Sequence, residues 1–320
     1  MVGQKNPVKL QSSPKNPASS KIPLVLIHDG GGTTFAYHCL GSLQRDVYGI
    51  HNPKYESGEE WEGGMREMAL CYIELLEDAG IEGPIIIGGW SLGGLLSIEI
   101  IHLLSQSASS QKFSIKGLLL IDTIFHVPWK LFTEVSKPEL GAMPKLVRLS
   151  LDQCAGLLND WELPLCDPEA IQLAPDATSN NYQRQMKYPG LGSERIYHQP
   201  LTGNVHEVSV TDDQMPPFVR EYLDSRVDKQ STLPDGGNGN KLPPAVLIRA
   251  AGIVPDSAGS DLHVRADLFR DNLLLGWEFS SPDFIKGVID VDGSHYDMFA
   301  FSRVKALTMR FNQALEMLGY

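Results

Sequence analysis

The sequence has little of what marks nucleic-acid-binding or membrane proteins. Its 320 residues carry 27 Lys and Arg against 39 Asp and Glu, a net charge of −12, and the basic residues form no long run. Because phosphate binding needs clustered positive charge, nucleic acid is not expected as a partner. No apolar run approaches the roughly 20 residues that span a bilayer, so no membrane partner is expected either.

The features of a secreted or metal-binding chain are also missing. The four cysteines, Cys39, Cys71, Cys154 and Cys166, do not have the spacing of a metal site. Residues 1–21 lack the apolar core of a secretory signal and are rich in Pro, Ser and Lys, which predicts a flexible leader. We therefore expect reduced thiols, a cytoplasmic location and no metal or other cofactor.

What the chain does contain is short apolar runs that alternate with segments of helical periodicity. The runs lack a polar face, which is typical of strands buried on both sides of a parallel sheet. This alternation predicts an α/β fold. The expected strands are 24–27, 47–50, 84–87, 117–121, 245–249 and 288–291, and the expected helices are 65–79, 92–104, 216–227 and 298–318.

The α/β rhythm stops after Asp122. From 125 to 210 the sequence shows prolines and short amphipathic pieces without a clear strand, and 141–158 has a helical pattern. So long an interruption of a compact domain is usually functional. We therefore predict a core formed by 22–124 and 211–320, and a largely helical lid inserted at 125–210.

Ser91 lies in the sequence GWSLG at 89–93, which fits the pattern G-x-S-x-G. The pattern alone is weak in a chain with 30 glycines, and a glycine-rich turn without chemistry is the alternative. The context is more specific, because a predicted strand precedes it and a predicted helix follows. That arrangement is the nucleophile elbow of the α/β-hydrolase fold, in which the amide of the next residue, here Leu92, donates to the oxyanion.

A serine nucleophile needs a base and an acid, which follow it along the chain in this fold. Among nine histidines, His295 follows the last predicted strand and precedes the last helix, where it can reach the carboxyl edge of the sheet. Two acids compete. Asp122 directly ends a strand and has a well-fixed position, which favours it, whereas Asp256 lies in a Gly/Pro-containing loop. The spacing alone leaves this choice open.

The loop after the first predicted strand reads HDGGGTTFAY. Its three successive glycines let backbone amides face inward without Cβ clashes, so Gly30 and Gly31 are candidates for the second oxyanion donor. A phosphate-binding loop is the rival interpretation, but that loop requires G-x-x-x-x-G-K-[ST] and no lysine follows here.

The motifs GGWSLGG, LIHDGGGTTFAY, GLLLIDTIF and GSHYDMF, in this order, resemble the thioesterase domains that end fungal polyketide and nonribosomal-peptide synthases. The resemblance runs from about residue 22 to the C-terminus and is thin in the insertion. It implies Ser91 as nucleophile, Asp122 as acid, His295 as base, and an oxyanion donor at 29–32. It also implies a substrate held as a thioester on an acyl carrier protein or peptidyl carrier protein. No synthase module accompanies the domain, so a free-standing member acting in trans is expected, with an excised domain as the alternative.

The predicted lid carries large apolar residues that could line an acyl channel, or could simply pack the lid onto the core. Other questions also stay open at this point. A carboxylesterase acting on free small esters and a non-catalytic binding protein of the same fold are the rival functions, and water, a hydroxyl or an amine could accept the acyl group. The lid candidates are Trp129, Phe132, Met143, Leu146 and Trp161.

Overall fold

The computed structural model describes residues 5–14, 21–107, 112–132, 135–164, 196–210, 215–231, 242–256, 263–280 and 282–320. The middle of the predicted lid, 165–195, which includes Cys166, lies outside the described residues. Within the described ranges, no helix combines the length and the apolar composition needed to cross a bilayer.

One mixed sheet forms the centre of the described structure. Its strands lie in the order β1-β3-β2-β4-β5-β8-β9-β6-β7. All neighbours run parallel except at the two edges, where β1 and β7 are antiparallel. The mostly parallel sheet expected from the sequence is thus confirmed. The strands are β1 (Val8–Gln11), β2 (Leu24–Ile27), β3 (Val47–Ile50), β4 (Gly83–Trp90), β5 (Phe113–Ile121), β6 (Ile196–Gln199), β7 (His206–Val208), β8 (Ala245–Ala250) and β9 (Ile285–Val291).

Helices cover both faces of this sheet. In α2, the buried residues recur at helical spacing, so that one side of the helix packs on the sheet and the other meets solvent. The helix α3 is buried along most of its length, because it follows the central strand β4. The helices are α1 (Phe35–His38), α2 (Gly64–Asp78), α3 (Leu92–Gln106), α4 (Lys145–Asp160), α5 (Pro217–Ser231) and α6 (Val304–Met317).

The alternation of side chains along β4 explains why its sequence has no polar face. Ile85 and Ile87 belong to the apolar core beneath α2 and α3, whereas Ile86 belongs to the core beneath α6. All three side chains are fully buried. Successive residues of a strand point to opposite faces, so a strand covered on both sides must be apolar at every position.

Several predicted boundaries change in the structure. The strand β5 begins at Phe113 instead of 117, β9 begins at Ile285 instead of 288, and α5 ends at Ser231 instead of 227. The strand predicted to end at Ile87 continues through Gly88 and Gly89 to Trp90, because these residues pair in parallel with β5. The last helix begins at Val304 instead of 298. Residues 298–303 form turns that lead from the loop of His295 into the helix.

The prediction of a flexible leader at 1–21 is wrong for Val8–Gln11. These residues form β1, which pairs antiparallel with β3 at the edge of the sheet. The backbone amide of Leu43 also donates a hydrogen bond to Oε1 of Gln11 at 2.9 Å. The sequence could not predict β1, because its partner β3 lies about 40 residues away. Four residues that alternate little between apolar and polar also lack the pattern of a strand.

The predicted end of the insertion at 210 is also wrong. The strand β6 pairs in parallel with β9 and therefore belongs to the central sheet, and β7 pairs with β6. The core thus resumes no later than Ile196. The helix expected within 141–158 is present as α4, which starts after Pro144.

Candidate active site

Ser91 occupies the sharp turn between β4 and α3. Its backbone has φ 54° and ψ −113°, a conformation that residues with a Cβ rarely adopt. Hydrogen bonds hold it there from both sides: the Ser91 amide donates to the carbonyl of Ile121 at 2.9 Å, and the Thr123 hydroxyl donates to the Ser91 carbonyl at 3.2 Å. The turn is therefore fixed to the end of β5.

The two glycines that flank Ser91 are required by close packing against β2. A Cβ at Gly89 would lie 2.5 Å from the carbonyl oxygen of Ile27 and 2.7 Å from the Cα of Gly93. A Cβ at Gly93 would overlap the same carbonyl oxygen of Ile27. The glycines of the motif thus allow the strand and the following helix to approach β2.

This packing predicts opposite effects for the same substitution in two helices. Gly93→Ala forces a methyl group into backbone and should lower the free energy of unfolding by about 3 kcal/mol. Gly156→Ala on α4 places its methyl group in open space. The gain in helix propensity should therefore raise the free energy of unfolding by about 0.5–1 kcal/mol. Urea unfolding of both variants checks the pair. Equal effects at the two positions would contradict the packing argument.

The buried Tyr37 of α1 ties the elbow to the neighbouring strand. Its hydroxyl donates to the Ile27 carbonyl at 2.7 Å and accepts the Trp90 amide at 2.8 Å. Burial raises the pKa of Tyr37 well above its usual range, so the phenol stays a neutral donor. One side chain thereby connects the end of β2 to the residue before Ser91.

His295 and Asp122 lie in direct contact. The Nδ1 of His295 lies 2.7 Å from Oδ2 of Asp122. A carboxylate can only accept, so Nδ1 carries the hydrogen, and in the neutral imidazole Nε2 keeps its lone pair. The His295 ring also packs beside the ring of Trp90, the residue before Ser91 in the chain, and the two ring centroids lie 5.8 Å apart. Loops from three different strands thus bring these residues to one edge of the sheet.

Arg270 is a partner of Asp122 that the sequence analysis missed. Its guanidinium donates to Oδ1 at 2.6 Å and to Oδ2 at 2.8 Å, and the amide of Ala250 donates to Oδ1 at 2.8 Å. Burial alone would raise the pKa of Asp122. The charge and hydrogen bonds of Arg270, together with the hydrogen bond from His295, outweigh it and hold this pKa below its usual range.

Arg270 is itself fixed by a second carboxylate. The carboxylate of Asp267 accepts a hydrogen bond from Nε of Arg270 at 2.9 Å and another from the backbone amide of Val254 at 2.6 Å. The segment ADLFRDN that carries both residues matches no motif, so nothing in the sequence marks them.

The competing acid, Asp256, is engaged elsewhere. Its Oδ2 accepts the hydroxyl of Ser136 at 2.9 Å, and its backbone bridges Pro138. Asp256 therefore connects the loop after β8 to the start of the insertion. Of the two candidate acids, Asp122 is the one whose carboxylate contacts His295.

The candidate oxyanion donors lie where the lid helix meets the core. Leu92 is the first residue of α3 and is almost fully buried. The carbonyl of Gly30 accepts the hydroxyl of Ser150 at 3.0 Å, and a Cβ at Gly30 would lie 3.1 Å from Sγ of Cys154. Both contacts come from α4, which therefore covers the loop after β2.

Asp29 adds a carboxylate to this loop. A Cβ at Gly31 would lie 3.2 Å from its Oδ1, so the side chain lies over the candidate oxyanion donor. Asp29 interacts electrostatically with His295 and with Cys154 of α4. Burial raises the pKa of Asp29 to about 6, against the lowering effect of backbone amides and of His295.

The apolar lid residues divide into two groups. Three of them, Trp129, Phe132 and Trp161, pack against the main core, and Trp161 also donates from Nε1 to Glu99 on α3 at 3.3 Å. Met143 and Leu146 are partly buried. Packing of the lid onto the core thus accounts for the first group, and lining of an acyl channel stays a prediction for all five.

Sequence comparison supplies the family. A model of the thioesterase domain matches residues 22–132. The probable thioesterase KK1J of Curvularia clavata is 36% identical over 319 residues, which cover 99% of this chain and 97% of that protein. The chain belongs to the thioesterase family. The nonribosomal peptide synthetase imqB of Aspergillus flavus is 28% identical over 95% of this chain, but only 8% of that much longer protein is covered.

A solved member of the family has the same fold. The NocB thioesterase domain, in covalent complex with a fluorophosphonate nocardicin G analogue, superposes with a TM-score of 0.53 at 18% identity, covering 93% of this chain and 96% of that one. The α/β-hydrolase fold of this thioesterase is therefore confirmed. At this identity the likeness concerns the fold alone.

Proposed function

We propose that this thioesterase releases a polyketide or peptide acyl chain from a carrier-protein thioester, with Ser91, His295 and Asp122 as its catalytic triad. The observation that carries the proposal is the contact of 2.7 Å between His295 and Asp122, together with the packing of the His295 ring against Trp90, the residue before Ser91. Ser91 itself is held at φ 54°. Family membership supplies the thioester chemistry, and these residues supply the groups for it.

In the first half-reaction, Oγ of Ser91 attacks the thioester carbonyl while Nε2 of His295 takes its proton. The amides of Leu92 and of Gly30 or Gly31 donate to the resulting oxyanion. Collapse of the tetrahedral intermediate breaks the C–S bond, and the leaving thiolate takes the proton from His295. An ester on Ser91 remains.

In the second half-reaction, an acceptor replaces the thiol. His295 takes a proton from water, or from a hydroxyl or amine of the acyl chain, and the acceptor attacks the ester carbonyl. Ser91 leaves with the proton that His295 returns. The product is an acid with water, and an ester, lactone or amide with the other acceptors.

Asp122 holds the imidazole in the tautomer that this chemistry needs and balances the imidazolium that forms twice per cycle. The orientation of the Asp122 carboxylate at the end of β5 is fixed, because the Ala250 amide and the Arg270 guanidinium donate hydrogen bonds to the lone pairs that His295 does not contact. Arg270 acts through Asp122 and is a positioning residue.

A carrier protein is part of the same proposal. The alignment of this chain with a small part of the synthetase imqB supports it, because synthetases hold their intermediates on carriers. The cytoplasmic location expected from the sequence stays a prediction.

Intact-mass spectrometry tests the function. The parent protein and Ser91→Ala are each incubated with butanoyl N-acetylcysteamine thioester and quenched in acid, and their intact masses are measured. An increment of one butanoyl group on the parent alone, or thiol release that the variant lacks, is expected. A fluorophosphonate should label the parent and not the variant. Equal release by both proteins would refute Ser91 as nucleophile, and faster turnover of oxoesters than of every thioester would favour the carboxylesterase.

A further inference from the structure

Asp29 is the one charged side chain of the oxyanion loop, and the mechanism above does not use it. The residue lies two positions after β2, and its carboxylate covers Gly31 at 3.2–3.3 Å from the position of a Cβ there. It also interacts electrostatically with Tyr55 and with Tyr296, the residue after His295. It therefore borders the space where the acyl carbonyl must bind.

The charge of Asp29 has no fixed counterpart. Among the described residues, no lysine or arginine forms an ion pair with it. A positive charge on His295 would attract it, but a general base must be neutral when it takes the serine proton. Backbone amides and His295 offset the desolvation of this carboxylate only in part, because the pKa of Asp29 stays raised.

The same charge opposes the reaction of a plain acyl chain. The tetrahedral intermediate places a negative oxygen against the amides of this loop. A carboxylate beside those amides repels that oxygen, and the repulsion is strong where water is excluded. A positive group on the substrate would offset the desolvation of Asp29 and the repulsion together.

We infer that Asp29 selects acyl chains that carry an amine close to the thioester, on the second or third carbon. The ammonium group pairs with the Asp29 carboxylate while the carbonyl oxygen lies in the oxyanion hole. The substrate class is thus an amino-acyl or peptidyl thioester with a free amine. This inference rests on the proposed function and specifies its substrate.

A matched set of substrates tests it: the N-acetylcysteamine thioesters of butanoate, 3-hydroxybutanoate and 3-aminobutanoate, each corrected for release by Ser91→Ala. In the parent protein, kcat/KM for the amine should exceed that for butanoate at least about tenfold, because a site built around a polar partner rejects the analogue that lacks it. In Asp29→Asn the ratio should fall towards 1. Glu82→Gln removes a charge from an exposed residue just before β4 and should keep the parent ratio.

Several results would overturn the inference. The parent could treat the three substrates alike, the hydroxyl could serve as well as the amine, or Asp29→Asn could keep the preference. A uniform loss on all substrates would instead assign Asp29 to the imidazolium of His295. The parent ratio decides even if Asp29→Asn does not fold. Equal turnover of all three substrates rejects only the amine inference, whereas failure of all three to react at Ser91 rejects the proposed function and this inference with it.

Discussion

Asp122→Asn should lower kcat/KM for an acyl thioester by about 10³–10⁴-fold. The amide cannot balance the imidazolium of His295, and it can present its NH₂ group to Nδ1, which favours the wrong tautomer. The loss should fall on kcat, since Asp122 is fully buried and acts through its contact with His295. Steady-state kinetics on the butanoyl thioester measure it, and circular dichroism shows whether the variant is folded.

Asp256→Asn is the matched control for this variant. The same chemical change at the competing acid affects a hydrogen bond to Ser136 and leaves the contacts of His295 intact. We expect kcat/KM to stay within about threefold of the parent, as for a substitution away from the reacting atoms. A large loss at Asp256 with a small loss at Asp122 would reverse the assignment of the acid.

Arg270→Met should lower the free energy of unfolding by about 3–5 kcal/mol, the usual effect of removing one partner from a buried ion pair. Two fully buried carboxylates, those of Asp122 and Asp267, lose their shared cation in this variant. Activity should fall as well, because the guanidinium fixes both oxygens of Asp122. Urea unfolding and kinetics measure the two effects separately.

A double variant distinguishes charge balance from packing. In Asp122→Asn/Arg270→Met the charge at 122 is gone together with its cation, so the double variant should be more stable than the sum of the two single losses predicts. Additive losses would mean that the pair contributes through packing alone. Arg270→Lys keeps the charge but not the two-pronged contact, and should recover more stability than activity.

The sheet and the elbow could be read from the sequence because their signals are local. The run 84–87 is apolar at every position, as burial on both faces requires. A Cβ at either Gly89 or Gly93 would overlap the carbonyl oxygen of Ile27. The choice between Asp122 and Asp256 needed the resemblance, since both follow strands. The structure then brings Asp122 to His295 through a contact across 173 residues.

The parts that the sequence did not reveal depend on distant partners. Arg270 lies in a segment without a motif, and its role follows from a contact with a residue 148 positions away. The strand β6 is only four residues long and is defined by its pairing with β9. The contact of α4 with Gly30 depends on the packing of the lid, which no periodicity in the insertion encodes.

The backbone conformation of Ser91 has a consequence for how this protein changes under selection. A residue with a Cβ at φ 54° costs about 1–3 kcal/mol, and glycine would adopt the same conformation without that cost. Ser91→Gly is therefore expected to give a more stable protein that lacks the proposed nucleophile. Directed evolution for heat resistance alone would tend to remove this serine, so any such screen has to include turnover. Under the proposed mechanism, the reaction maintains the serine against the preference of the fold.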